Sequence, residues 1–456
     1  MNRSINWQQF GLKKNPYDTL PLIEGGDIPI NQAFVGREKE KALIDGLIES
    51  DDRLCLAVCG GVGVGKTSLI NFEKFLWKYT KTEKKYLFSF RREMEANVSL
   101  LDKKGFLLEI IGSILREIRL LEPKLFEREQ LLQKLSILVD ITQTASISFG
   151  GSLASVGLNL GSETSTNHPV QLTATILEEF YAQILKFIRT HDIAGMRYSG
   201  LIVHVNNFEI VLNSEAEMAK VKQFFNEVRD LLQLPDVYYI FIGPESFFRD
   251  VISTIPRVKS IFFQNALSIN PLNKSEIIQA FDERMKLLKS DNVKEIIKPV
   301  EDELVYKLYD VYNGDIRSIM FALRSILMKG PEIFSRTISV DEGLVLLSSE
   351  LWDRIKNTTK LSPEQLKVLT YLVDTSRNIS QVEAAKILKK QESNISSYYF
   401  KPLKMAGIIE EKEIKGKYKY WGLTQEYFPL TYLLNAQKKL TQDLNREIKK
   451  GQRTLW

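Results

Sequence analysis

The pattern of apolar and polar positions divides the chain into two parts. In the first, apolar runs of strand length alternate with segments whose apolar residues recur every three or four positions. Strands are predicted at 54–58, 85–90, 201–205, 237–242 and 261–264. Helices are predicted over about 39–50, over 106–138 as one or two pieces, and over about 171–190. In 144–160 apolar side chains alternate with Ser, Ala or Asn on both sides of Gly150-Gly151, a hairpin pattern, and a Ser/Thr-rich run to Asn167 follows. The second part is helical: residues 271–287, then a helix from about Asn313 to Leu327. The chain closes on helix, helix, helix, hairpin, with Ser362 and Ser380 each opening a capping box. Segment 1–33 is irregular, punctuated by Asn15-Pro16, Leu20-Pro21 and Gly25-Gly26.

One stretch carries chemistry outright. Leu54–Val58 runs into Gly60-Gly61-Val62-Gly63-Val64-Gly65-Lys66-Thr67-Ser68 and then into a helical pattern. Strand, glycine-rich loop and helix match the phosphate-loop motif at every required position. Glycines let successive backbone N–H groups converge on phosphate oxygens, and the helix N-terminus adds partial positive charge. Lys66 is placed for the β- and γ-phosphates and Thr67 for a Mg²⁺ ion, so the chain is expected to bind a nucleoside triphosphate, with ATP and Mg²⁺ as cofactors.

Composition adds bounds. At 456 residues the chain is long enough for two or three domains, with 44% hydrophobic and 26% charged residues, as in a soluble globular protein. No apolar run is long enough to span a bilayer and the N-terminus has no signal-like core, so no membrane role is expected. Cys55 and Cys59 lack a second pair to complete a zinc site and read as buried reduced thiols, which points to the cytoplasm. The net charge of +5 is concentrated: residues 361–456 carry 17 Lys/Arg against 10 Asp/Glu, pointing to an anionic partner there.

Phe34-Val35-Gly36-Arg37-Glu38, ahead of the phosphate loop, resembles the segment that lines the adenine pocket in AAA+ ATPases of the origin-recognition and cell-division-control initiator type, and in related prokaryotic signalling ATPases. The resemblance implies an α/β fold: a P-loop AAA+ core with a parallel sheet, an α-helical lid and a C-terminal winged helix-turn-helix. It assigns 34–270 to the core, with the insertion 144–167, and 271–350 to the lid. The winged module takes 361–430 and a basic helical tail 431–456. By the same resemblance Val35, Gly36 and Arg37 contact the base. Arg317, in Gly314-Asp315-Ile316-Arg317, reports the γ-phosphate from the lid. Arg257, with Arg249 second, completes the site of an adjoining subunit, so self-association is expected. The strand ending Asn206-Asn207 sits where the family places an Asp for the metal shell and a Glu to activate water. An amide hydrogen-bonds a metal-bound water but is no base at neutral pH. Hydrolysis is therefore in doubt although binding is not; Asn206 is left for the metal and Glu209, two residues past Asn207, is the candidate base. His204, within the same strand, reads as a hydrogen-bonded core histidine. Strand 237–242 lacks the family's polar γ-phosphate sensor.

In the C-terminal module a 100° wheel puts Ile395, Tyr399 and Leu403 on the core face and Ser393, Asn394, Ser397, Lys401 and Lys404 outward. Small polar groups with lysines suit a helix in a major groove, and wing lysines Lys412, Lys415, Lys417 and Lys419 suit phosphates. Pro402 should kink or end the helix. The reading is an ATP-dependent switch that binds double-stranded DNA. The alternative is a signalling or defence ATPase whose winged helix binds a protein partner or holds an inactive state, with the 144–160 hairpin as a second contact surface. A nucleotide-bound scaffold without turnover is the third reading.

Overall fold

The computed structural model describes residues 5–80, 85–148, 173–263, 265–329, 336–358, 360–415 and 418–432. The chain forms two compact units, Pro21–Asn270 on one hand and Met1–Leu20 with Pro271–Trp456 on the other.

The first unit is an α/β layer structure. Strands β1 (Leu54–Gly60), β2 (Leu87–Ser89), β3 (Met94–Glu95), β4 (Gly200–Asn206), β5 (Val237–Gly243) and β6 (Leu267–Ile269) form one sheet in the order β2-β4-β5-β1-β6, β3 adding beside β4. All pairings are parallel. Every residue of β1, β4 and β5 is buried, which is why those stretches read as unbroken apolar runs. Register aligns Cys59 with Gly243 and Val205 with Phe241, so the carboxyl ends of the three central strands meet at one edge. The parallel α/β class expected from the sequence is the class observed.

Four details differ from expectation. The strand predicted at 261–264 lies later, at β6; Phe263 donates its N–H to the Cys55 carbonyl, and pairing with β1 proper begins at Leu267. Residues 144–148 close the helix Gln130–Ser148 instead of starting a hairpin, so the preceding 3.6-residue periodicity outlasts the alternation there; residues 149–160 of that prediction lie outside the described residues. Segment 1–33 divides at Leu20/Pro21 between the two units. His204 is buried as expected, but neither ring nitrogen has a hydrogen-bond partner among the described residues. Burial, and then the nearby Lys74, push its pKa well down, so it is a neutral core residue. Cys55 and Cys59 are buried free thiols. Among the described residues no helix is long and apolar enough to cross a membrane.

The helix Lys66–Tyr79 behind the phosphate loop is unusual in burying Glu73, Lys74 and Lys78. Lys78 is fully enclosed and is held by Glu117 at 2.7 Å and Glu24 at 3.1 Å. Lys74 gives its ammonium to the Asn71 side chain at 3.2 Å. Burial lowers the Lys74 pKa to about 8.

The second unit holds helices Lys274–Leu287, Asp302–Val311, Ile316–Lys329 and Val340–Thr358 together with residues 5–20. Tyr17 is buried edge-on against Phe281, and Arg284 Nη1 donates to the Asp18 carbonyl at 2.9 Å. The C-terminal elements follow as helices Pro363–Thr375 and Gln381–Leu388, a third helical stretch over Glu392–Met405, and strands β7 (Ile379–Ser380), β8 (Ile409–Lys415) and β9 (Tyr418–Leu423). These strands form an antiparallel sheet in the order β7-β9-β8.

A lysine whose folded pKa lies below its unfolded value releases its proton first in the folded state. Stability from Lys74 should therefore rise as pH climbs from about 8 to about 10.5. Lys74→Met is expected to melt at a higher temperature than the parent at pH 7, the gap closing toward pH 10; calorimetric melts across that range check it.

Candidate nucleotide-binding site

The loop between β1 and the helix Lys66–Tyr79 turns through left-handed residues, Gly63 at φ +71° and Gly65 at φ +92°. Only glycine takes these angles without strain, and they swing the backbone amides toward a common centre. Lys66 is buried and donates to the carbonyls of Gly60 at 2.9 Å and Gly61 at 2.7 Å, so its ammonium is held over the loop by the loop's own oxygens. Val62 lies exposed on the rim and Val64 is buried beneath. Ser68, next on the helix, accepts a hydrogen bond from the Leu22 N–H at 3.2 Å.

Arg37 does something the sequence did not signal. It takes a left-handed backbone, φ +66°, and its buried guanidinium donates to the Val64 carbonyl at 2.8 Å and to Glu40 Oε1 at 3.2 Å. Its side chain thus braces the loop from behind. Val35 and Gly36 precede it, both partly exposed, and the Phe34 ring stacks on Phe72 at 4.4 Å.

The end of β4 meets the loop where the sequence reading placed it. Asn206 Nδ2 donates to Thr67 Oγ1 at 3.0 Å, so the two residues assigned to the metal are in contact. Asn207 adopts a left-handed conformation, φ +63°, and starts the 3-10 turn Phe208–Val211 that carries Glu209. Glu209 Oε2 is buried and has no hydrogen-bond partner among the described residues. A buried carboxylate oxygen left unpaired is costly, as is expected of a group held for a water or a cation. Glu245, past the end of β5, was not singled out from sequence. A Cβ built on Gly61 would lie 3.8 Å from its carboxylate, so a second acid stands beside the loop. The only signal was its position after the strand that lacks the usual sensor.

These donors fit a triphosphate better than they fit an ion bound by protein alone. Mg²⁺ prefers charged oxygens and keeps several waters when phosphates supply the rest of its shell. Thr67 offers one hydroxyl and Asn206 one neutral amide, so an ion here would rest mainly on the nucleotide. Among the described residues no cluster of three His, Cys, Asp or Glu could hold a metal.

Arg257 is exposed on the short helix Pro256–Lys259, and Arg249 is paired with its neighbour Asp250 at 2.7 Å. Arg317 belongs to the second unit, exposed at the start of the helix Ile316–Lys329, where Asp315 accepts from the Arg317 and Ser318 N–H groups.

In the C-terminal module Ser393, Asn394, Ser397, Lys401 and Lys404 are all exposed. The core face differs from the wheel: Ile395, Phe400 and Leu403 are buried, while Tyr399 is only partly so. The reason is a wider π turn over Ser396–Phe400, which inserts a residue into the period and turns Phe400 onto Trp421 at 5.5 Å. The turn also lets helical backbone continue through Pro402. The Tyr398 carbonyl, which proline cannot bond, accepts instead from Gln365 Nε2 at 2.8 Å. Lys404 sits 5.5 Å over the Trp421 ring. The wing is less basic than its lysines suggested, since Lys412 pairs with Glu410 and Lys419 with Glu411. Lys415 lies on β8, and Lys417 lies outside the described residues. Residues 361–432 hold eleven Lys/Arg against eight Asp/Glu, and 433–456 six against two, so much of the excess is in the tail sequence.

No family model and no curated protein matches the chain. Solved structures do. The Aeropyrum pernix ORC1 protein, in complex with DNA, is similar at a TM-score of 0.46 and 12% identity, over 93% of this chain and 96% of that one. The Aeropyrum pernix ORC2 protein, in ADPNP-ADP complexes, is similar at 0.45 and 15%, over 94% and 100%. Cdc6p from Pyrobaculum aerophilum is similar at 0.40 and 14%, over 92% and 99%.

If Arg37 holds the loop and not the base, Arg37→Met should weaken ATP binding about tenfold, the scale of one lost charge-assisted hydrogen bond, and should weaken GTP binding equally. Calorimetric titration with both nucleotides checks this; a loss confined to ATP would return Arg37 to the base.

Proposed function

We propose that this chain is an ATP-binding AAA+ molecular switch that engages double-stranded DNA through a C-terminal winged helix, nucleotide state governing assembly or DNA engagement. The observation that carries the reading is the phosphate loop itself: left-handed Gly63 and Gly65, the enclosed Lys66, and Thr67 in contact with Asn206. ATP with Mg²⁺ is the ligand this arrangement suits, Lys66 and the loop amides binding phosphate oxygens and Thr67 reaching the ion. Turnover, where it occurs, is slow, because the position that would activate water carries the amide of Asn207 and that work is left to Glu209, two residues on, or to Glu245 beside the loop. Arg317 reads the γ-phosphate from the lid and Arg257 reaches a neighbouring copy.

Three helices with a three-stranded antiparallel sheet, β7 between the first two helices and β8 and β9 after the third, support the winged-helix reading, and the exposed Lys401 and Lys404 support contact with phosphate. A second reading has its own support. Tyr398 and Met405 are 65% and 79% exposed on the same helical stretch, and two of the wing lysines are already neutralised. A signalling or defence ATPase with a protein partner on this face accounts for those features directly.

Ionic strength separates the two. Under the DNA reading, duplex affinity measured by fluorescence anisotropy falls steeply with salt, and Lys401→Ala with Lys404→Ala lowers the log–log slope by about 2. No duplex binding at low salt, with or without ATP, leaves the protein-partner reading. For turnover, Glu209→Gln is expected to abolish ATP-dependent phosphate release while leaving ATP binding within about threefold, a comparison that separates chemistry from binding.

A further inference from the structure

The chain passes between its two units twice, at Leu20–Pro21 and at Asn270–Pro271. Both junctions end on proline, which fixes φ and biases the preceding residue toward extended backbone. Beyond each junction lies an anchor beside a nucleotide motif. Pro271 touches Gly314 so closely that a Cβ there would stand 2.5 Å from the Pro271 ring, with Arg317 three residues on. Pro21 leads into a segment fastened along the phosphate-loop helix. The Leu22 N–H donates to Ser68 Oγ at 3.2 Å, one residue past Thr67, and the Leu22 carbonyl accepts from Asn71 Nδ2 at 3.1 Å. Two residues later Glu24 takes Lys78 at 3.1 Å, the Tyr79 hydroxyl at 2.7 Å and Arg91 at 3.2 Å.

On the other side of the same junction the chain is equally tied. Lys13 N–H donates to the Leu288 carbonyl at 2.7 Å, Ile297 N–H to the Phe10 carbonyl at 3.1 Å, and Arg284 holds the Asp18 carbonyl. Residues 5–20 are therefore tied to the second unit and Leu22–Glu24 to the phosphate-loop helix. The exposed Leu20 and the half-buried Pro21 stand between two fixed ends.

Resting on the proposed nucleotide site, we propose that Leu22–Glu24 is a strap through which triphosphate binding at the loop is felt by the second unit, independently of Arg317. Ligand at Lys66 and Thr67 fixes the first turn of the helix; Ser68, on that turn, and Asn71, on the next, fix Leu22; and the short prolyl connector passes the restraint to residues 5–20. The segment is a positioning element and touches no nucleotide. A restraint of this kind couples two sites because the ligand favours one arrangement of the element joining them.

Backbone hydrogen exchange of the full-length protein, with and without MgATP, reads the strap directly. In the parent, ATP is expected to slow exchange at Leu22 and at Lys13 by about tenfold or more, and in Asn71→Ala the Lys13 response should vanish while ATP affinity stays within about threefold. Glu24→Gln cuts the far anchor and should give the same loss, which keeps the test available if Asn71→Ala fails to give a cooperative melt. Arg317→Ala should leave the Lys13 response intact. If the parent retains no ATP, the nucleotide reading falls and the strap with it. If ATP binds and exchange at Leu22 and Lys13 does not change, or Asn71→Ala and Glu24→Gln keep the response, the strap alone is overturned.

Discussion

A loop forced into left-handed turns is the constraint on which the first unit depends. Gly63 and Gly65 take those angles because they carry no Cβ, and they do so between β1, a fully buried strand, and the helix that starts at Lys66. Arg37 closes the arrangement from behind by holding the Val64 carbonyl. A guanidinium buried on a neutral carbonyl gains modestly on its own. Its worth is geometric, since a loop with fixed amides meets phosphate without first being ordered.

The helix behind the loop carries a second constraint. Burying Lys74 and Lys78 where apolar residues would pack is expensive unless each is paired, and Lys78 is, by Glu24 and Glu117. Those pairs do little for net stability compared with a well-packed apolar core. What they give is a specific path for residues 22–24 along the helix, which an apolar face would leave free to slide. Charge here fixes geometry at the expense of stability, and the fixed segment is the one that leads out of the unit.

The parallel layer was legible in the sequence because its strands are buried on both faces and therefore unbroken, and the loop was legible because phosphate chemistry tolerates few residue types at those positions. Asn206 beside Thr67 was expected from the resemblance, which sets the strand ending there against the phosphate loop. The rest was hidden for identifiable reasons. The bond from Arg37 to the Val64 carbonyl depends on a left-handed backbone that the Phe34–Glu38 segment does not announce. The π turn at Ser396–Phe400 shifts the helical period by one residue, so a regular wheel puts Tyr399 where Phe400 belongs. Lysines on the wing count as free charge in a composition and as paired charge once Glu410 and Glu411 stand beside them. The strap left no motif at all: the backbone of Leu22 bonds the side chains of Ser68 and Asn71, 46 and 49 positions away.

Both proposed roles need a triphosphate held at the loop, and equilibrium dialysis of the intact protein against ATP with magnesium measures that without reference to turnover, DNA or partner. The parent is expected to retain one ATP per chain and Lys66→Ala to lose about a hundredfold or more in affinity, as when a buried charge-assisted contact is removed. Equal retention by the two proteins, or none by either, would contradict both roles.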